Sequence, residues 1–300
     1  MKISVLLPTR NRLDLLHYAV ESVLQQDYEN WEIVISDNFS EDDVAGYVKS
    51  LNDGRIVYYR TESFVSVTEN WNFALRHASG AYVIMLGDDD ALMPNFFTTI
   101  VDLTKRYKHP DLIYTDAYVF SYPDVLPEFP TGALRYSYNN YFRIREPFLL
   151  DQRTSLTIVR EALELRFPIM YNMQLSVLRM DFIQSLVSHG DFFQSPFPDF
   201  YATIVSFLTS KRTLIFQQPI VTIGVTKKSY GFYFFNKQER EGENFLNNLR
   251  EQEATSLQSM LIPGSYTLNC QLIAVEMVKA NYVTELHNIR VDHRRYRHYR

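Results

Sequence analysis

The strongest constraint on this chain is the regular alternation of short apolar runs with amphipathic segments between Ile3 and Thr115. Ile3–Leu7 reads as a strand closed by Pro8, and Arg12–Gln25 follows with Leu13, Leu16, Ala19, Val20 and Val23 at helical spacing. Trp31–Ser36 is a second strand, and Ser40 with Asp43 gives a capping-box signal for a helix reaching Leu51. Arg55–Tyr59 is a third strand, Glu69–His77 a helix, and Ala81–Leu86 a fourth strand. Pro94 opens a helix to Tyr107, since proline suits a first helical turn, and Leu112–Thr115 follows as a fifth strand. Strands that alternate with helices imply a mainly parallel sheet covered on both faces. The expected fold class is therefore α/β, with a Rossmann-like nucleotide-binding half.

The fourth strand ends in Gly87 and then Asp88-Asp89-Asp90. Ligands of open α/β sheets bind at the carboxyl ends of strands. Adjacent carboxylates there suit a hard divalent cation, Mg or Mn. A solvated, exposed acidic turn ahead of the Pro94 helix is the alternative. No Gly-x-Gly-x-x-Gly follows the first strand, and there is no Gly-x-x-x-x-Gly-Lys-Ser/Thr, so both glycine-rich phosphate cradles are missing. That argues against a Rossmann dehydrogenase and a P-loop kinase. A metal held by the aspartates could do the phosphate-binding work instead.

A net charge of −5 gives no sign of a nucleic-acid binder. The single cysteine, Cys270, excludes an intramolecular disulfide framework and fits a reducing compartment. The N-terminal run is interrupted too early for a signal peptide, and no apolar run has the ~18–20 residues a membrane span needs. The expected location is cytoplasmic, or peripheral at the inner face of a membrane.

The second half is less regular. Phe120–Pro147 carries prolines, Gly132 and the tyrosines Tyr136, Tyr138 and Tyr141, and reads as a loop across an open site or as a peripheral hairpin. Gln174–Arg179 reads as a strand and Asp181–His189 as a helix. Pro198-Asp199 precedes an apolar helix through Tyr201, Ile204, Val205 and Leu208, which makes Asp199 the expected N-cap. Two short strands, Thr213–Phe216 and Ile220–Val225, lead to Lys227-Lys-Ser-Tyr-Gly231. Beyond Asn236 the pattern is helical, with Phe245, Leu246 and Leu249 on one face and a break at Pro263-Gly264. The tail from Arg290 to Arg300 is basic and aromatic, suited to an anionic membrane face, a partner or solvent.

Four segments resemble the family 2 glycosyltransferases, which have the GT-A fold: Ser4–Arg12; Ser22–Tyr28 with Trp31–Asp37; Asn70–Leu75; and Ala78–Asp90 with Pro94. The resemblance implies inverting transfer of a sugar from a nucleotide-diphosphate donor, a UDP-sugar foremost, to a glycan or lipid-linked acceptor. It implies that Thr9, Arg10, Asp37, Asn70 and Asp88 lie along the donor, and that Asp89, with Asp90, holds Mg or Mn. Gly87 departs from the family, which often has an acid there. An acid placed like Asp199 is the family's catalytic base, with His189 and Asp191 as weaker rivals. A loop near Lys227–Gly231 would close over the pyrophosphate. Residues 1–115 would form the nucleotide-sugar half, 116–235 the acceptor and base half of the same domain, and 236–300 a helical extension. A sugar nucleotidyltransferase and a non-catalytic nucleotide-sugar-binding module are the rival readings. The first should carry a glycine-rich loop where this chain has Pro8-Thr-Arg-Asn-Arg12.

Overall fold

The structure is a computed structural model and describes residues 1–137, 142, 144–166, 168–229, 232–233, 238 and 266–289. Phe245, Leu246 and Leu249, the Pro263-Gly264 break, Tyr138, Tyr141, Tyr230, Gly231 and the tail from Arg290 lie outside these residues.

The alternation in the sequence is the alternation in the fold. The strands β1 (Ile3–Thr9), β2 (Trp31–Asp37), β3 (Ile56–Arg60) and β4 (Tyr82–Met85) are separated by the helices α1 (Leu13–Leu24), α2 (Val44–Leu51) and α3 (Val67–Arg76). After a two-residue strand β5 (Ala91–Leu92) come α4 (Phe96–Arg106), β6 (Leu112–Ser121), β7 (Ala133–Ser137), β8 (Phe148–Leu149) and α5 (Gln152–Leu163). The chain continues through β9 (Ser176–Arg179), α6 (Met180–Ser185), α7 (Pro198–Thr209) and β10 (Thr213–Val225) to α8 (Tyr266–Asn281). One sheet runs in the order β3-β2-β1-β4-β9-β6-β10-β5, with β7 added on β6 and β8 on β10. β3, β2, β1 and β4 are parallel neighbours; β9 is inserted antiparallel between β4 and β6, and β10 runs parallel to β6.

Side-chain alternation along the strands divides the core in two. Ile3, Val5 and Leu7 of β1 pack with Leu16, Val20 and Val23 of α1 and Phe96, Phe97 and Ile100 of α4. Leu6 faces the other way, into a cluster built from α5, α7 and α8. This is the period-2 consequence of a strand buried on both faces. β6 crosses position 115, so the residues on either side of it share one sheet.

Several local expectations need correction. Asp43, not Ser40, caps α2, its side chain accepting from Gly46 N–H at 2.8 Å. Ser40 instead accepts from Asn11 N–H at 3.0 Å. Asp199 is not the N-cap of α7: Phe197 occupies that position and Pro198 begins the helix. The two short strands expected around Gln217-Gln218 are one strand, β10, whose pairing with β6 shifts register about Pro219. Proline lacks the N–H a ladder needs, and a bulge accommodates that without ending the strand. Of the two readings of 120–147, the described part is a hairpin, β7 lying antiparallel on β6.

The helix α3 begins with a complete capping box, Ser66 Oγ accepting from Glu69 N–H at 3.2 Å and Glu69 reaching back to Ser66 N–H at 3.1 Å. Ser66→Ala should lower stability by about 1 kcal/mol. Urea unfolding followed by circular dichroism checks this, and an unchanged midpoint would remove the cap from the account.

Candidate active site

The ends of β1, β2 and β4 converge on a cavity of about 630 Å³ lined by Thr9, Arg10, Asn70, Asp88, Asp89, Asp90 and Asp199, among others. Residues distant in sequence meet there because parallel neighbours end at the same edge of the sheet. Thr9 is opposite Asp37 in the β1/β2 register. Its hydroxyl donates to Asp88 Oδ2 at 2.8 Å.

The aspartate turn is buried, unlike the solvated turn of the alternative reading, and its three carboxylates have different surroundings. Asp88 accepts from Thr9 and, through Oδ1, from Arg12 Nη1 at 2.8 Å. Asp89 Oδ2 accepts from Arg12 Nη1 at 3.2 Å and from the Ser229 hydroxyl at 2.9 Å. Asp90 accepts from the N–H groups of Gly87 and Gly224, each at 2.8 Å, and from Gln174 Nε2 at 2.6 Å. Asp90 thus ties the turn to β10 and to the turn that precedes β9, with three of its acceptor positions taken by these donors. Gly87 follows from the same geometry, because a Cβ there would lie 2.6 Å from Asp90 Oδ2.

Arg12, which sequence reasoning left out of the site, is its main cation. It is 7% exposed. Burial alone would lower its pKa, but Asp88 and Asp89 outweigh that and hold it charged. Burial pushes Asp89 up, with Arg12 opposing and Asp88 adding. Burial and the neighbouring Asp89 push Asp90 up as well. The turn therefore holds more carboxylate than its arginine neutralises, which is the electrostatic condition for a cation site. Among the described residues no group of three or more His, Cys, Asp and Glu side chains forms a metal cage. Mg is commonly held by one or two carboxylates together with substrate phosphates, and Asp89 facing the cavity fits that donor set.

Arg10 lies flat against Phe64, its guanidinium carbon 3.4 Å from the ring centroid, and lines the cavity. Asn70 lines it too, while exchanging hydrogen bonds with Ser36 at 2.6 Å and 3.2 Å. Asp37, expected along the donor, ends β2. It is fully buried, accepting from Ser40 N–H at 2.8 Å and from the Tyr58 hydroxyl at 2.7 Å. The neighbouring Asn38, not Asp37, borders the cavity. Lys228 borders it as well and donates to Asn11 O at 3.3 Å.

Asp199 sits in the first turn of α7 and reaches the same cavity. Burial pushes its carboxyl up to about 7, against the opposing hydrogen bond from Phe200 N–H. It makes no ion pair among the described residues. The rivals are elsewhere: Asp191 is exposed and lies 3.9 Å from Arg76, and His189 bonds Asn281 O at 2.8 Å while stacking on Tyr282. Neither borders the cavity.

Residues 4–163, over half of the chain, match the model for Glycosyl transferase family 2. The chain is 38% identical over 112 residues to a Campylobacter jejuni GalNAc(5)-diNAcBac-PP-undecaprenol beta-1,3-glucosyltransferase, covering 36% of this chain and 36% of that protein. It is 31% identical over 93 residues to the Escherichia coli UDP-Glc:alpha-D-GlcNAc-diphosphoundecaprenol beta-1,3-glucosyltransferase WfgD, covering 31% of this chain and 37% of that one. These matches span less than half the length of the curated relatives. The S. aureus TarS 1-349 structure in complex with UDP-GlcNAc superposes with a TM-score of 0.59 at 16% identity, over 96% of this chain and 84% of that one. The shared fold is GT-A.

The acid turn depends on a close approach from β10: a Cβ at Gly224 would lie 1.8 Å from the Asp89 carbonyl oxygen. Gly224→Ala must push the strand and the turn apart, and should cost about 1–3 kcal/mol, the usual range for overpacking. Thermal unfolding of the variant reads this directly, and a wild-type melting temperature would refute the packing argument.

Proposed function

The chain belongs to glycosyl transferase family 2, and on that premise we propose that it moves a sugar from a nucleoside-diphosphate donor, a UDP-sugar foremost, to a hydroxyl of a lipid-linked or glycan acceptor, with inversion. The observation that carries this reading is that a buried acid turn and Asp199, a carboxylate with no ion pair among the described residues, belong to separate elements yet border one cavity. Displacement at an anomeric carbon needs negative charge stabilised on the leaving side and a proton accepted on the attacking side.

On the donor side, Thr9, Arg10, Asn70 and Asp88 border the space for the nucleotide, and Asp37 fixes the Asn38 turn that also borders it. Asp89 would hold Mg or Mn, which when bound supplies Lewis-acid stabilisation of the diphosphate charge. Arg12 balances Asp88 and Asp89 and keeps the turn in place. On the acceptor side, Asp199 takes the hydroxyl proton. A carboxyl shifted to about 7 suits a general base near neutral pH, because such a base still accepts a proton readily and is substantially ionised. The names of the relatives, which specify undecaprenyl-diphosphate acceptors, support a lipid-linked acceptor. No helix among the described residues is long and apolar enough to cross a membrane.

The direct test is release of UDP from UDP-glucose and UDP-GlcNAc with Mn present, with and without a lipid-linked GlcNAc diphosphate. Acceptor-dependent release supports transfer, and binding with no turnover of any kind would favour a non-catalytic module. Asp89→Asn should abolish the Mn-dependent part of the UDP-induced rise in melting temperature. An identical Mn response in the variant removes Asp89 as the ligand.

Asp199→Asn should leave donor affinity unchanged and lower turnover by roughly 10²–10⁴-fold, as general-base loss does. In the wild type the rate should rise with pH through about 7, since the ionised form is active, and this limb should vanish in the variant. Stability has the opposite sign. A carboxyl whose folded pKa lies above its unfolded value, about 3.9, contributes stability at low pH that is lost as pH rises through the folded pKa. The Asn variant should therefore gain in melting temperature relative to wild type above pH 7, with that pH-linked gain absent below about pH 4. A pH-independent difference would mean that Asp199 titrates like an exposed aspartate.

A further inference from the structure

The helical wall of the cavity contains a polar atom that no described residue satisfies. Gln271, on α8, borders the cavity with Leu268 from the preceding turn. It is 7% exposed, and its Oε1 has no hydrogen-bond partner among the described residues. A buried amide oxygen without a donor destabilises the free protein, so such groups are rare and call for an explanation. The same cavity is bordered by Trp71, Tyr171 and Phe197, giving an apolar, aromatic wall. Trp71 is braced edge-on by Phe193 at 5.3 Å between centroids, and Phe197 stacks on Phe200 at 5.9 Å. α8 packs on α7, the helix that carries Asp199, whereas Thr9, Arg10 and Asp88 lie at the strand ends. The unsatisfied oxygen therefore belongs to the Asp199 side of the cavity.

A pyranose matches these features. Its C–H faces pack on aromatic rings, and its hydroxyl or acetamido N–H groups are the donors that a lone amide oxygen lacks. We propose that Gln271 is a specificity-determining residue of an acceptor-sugar subsite, its Oε1 accepting a hydrogen bond from a hydroxyl or acetamido N–H of a pyranose packed against Trp71 and Phe197. The proposal rests on the transferase reading of the cavity and on Asp199 as its base. Gln271 has no part in the chemistry. It selects and orients the sugar that presents its hydroxyl to Asp199, and discrimination arises because an analogue without the donor leaves the oxygen buried and unpaired.

Gln271→Met tests this, since it keeps the length of the side chain and removes its polar atoms. Acceptor probes are the 4-nitrophenyl β-pyranosides of glucose, galactose and N-acetylglucosamine, with the monodeoxy forms of whichever is used best. The variant should bind UDP-sugar and hydrolyse it without acceptor as wild type does. Its KM for the preferred pyranoside should rise about ten- to a hundredfold, the loss expected for one uncompensated hydrogen bond, with kcat changing less. One monodeoxy form should show the same loss in wild type and none beyond it in the variant. The melting temperature without ligand should equal or exceed that of wild type, because an unsatisfied oxygen has been removed. An unchanged acceptor KM overturns the proposal, as does a wild type that hydrolyses UDP-sugar but neither binds nor glycosylates any of the pyranosides. A wild type that binds no UDP-sugar at all refutes the transferase reading instead.

Discussion

The guanidinium of Arg12, enclosed between Asp88 and Asp89, is the interaction on which the cavity end of the sheet depends. It joins the segment after β1 to the turn after β4, and Nη2 extends to the Thr226 hydroxyl at 3.5 Å beyond β10. These are the ends of strands brought in from well-separated parts of the chain. Burying an ion pair is costly, and removing one partner costs more than the pair contributes, because a charge is left without compensation. The arrangement is therefore a constraint on geometry more than a source of stability. It holds the carboxylates at a fixed spacing, and Ser229 completes the contact with Asp89.

Two kinds of structure meet at this place. The strand ends supply charge in a rigid frame of backbone N–H donors, with Asp90 receiving from Gly87 and Gly224. The helices α7 and α8 supply an apolar wall in which Asp199 is exposed to little that could stabilise its charge. The first environment suits a ligand that brings phosphate, and the second suits a neutral sugar face and raises the basicity of a carboxylate. One carboxylate cluster and one isolated carboxylate thus have different chemistries for the same reason, the polarity of what surrounds each of them.

The parallel half of the fold was legible in the sequence because its strands are buried on both faces and its helices are amphipathic, as β1 and α1 illustrate. Family membership was legible because the motifs are local runs such as Ser4–Arg12 and Ala78–Asp90. The partnership of Arg12 was not, since its carboxylates lie more than seventy residues away. Nor was the seclusion of Asp37, whose partner Tyr58 comes from the neighbouring strand β3. Gln271 gave no signal at all. A glutamine in an apolar helix is noticed only when packing shows that no described residue answers its oxygen. β10 looked like two strands because Gln217-Gln218-Pro219 has the composition of a turn, and only its pairing partner shows that the ladder resumes.

That irregular stretch of β10 has an evolutionary consequence. A strand locked on both sides cannot gain or lose a residue, since every side chain beyond the change would swap faces. The register shift about Pro219 already breaks that lock between the part of β10 that pairs with β8 and the part that carries Gly224. Insertions and deletions in relatives should therefore collect at 216–219, where a change of length is absorbed before it reaches the contact with the acid turn. The outer end of the strand is free to diversify while its inner end stays in register with the aspartates.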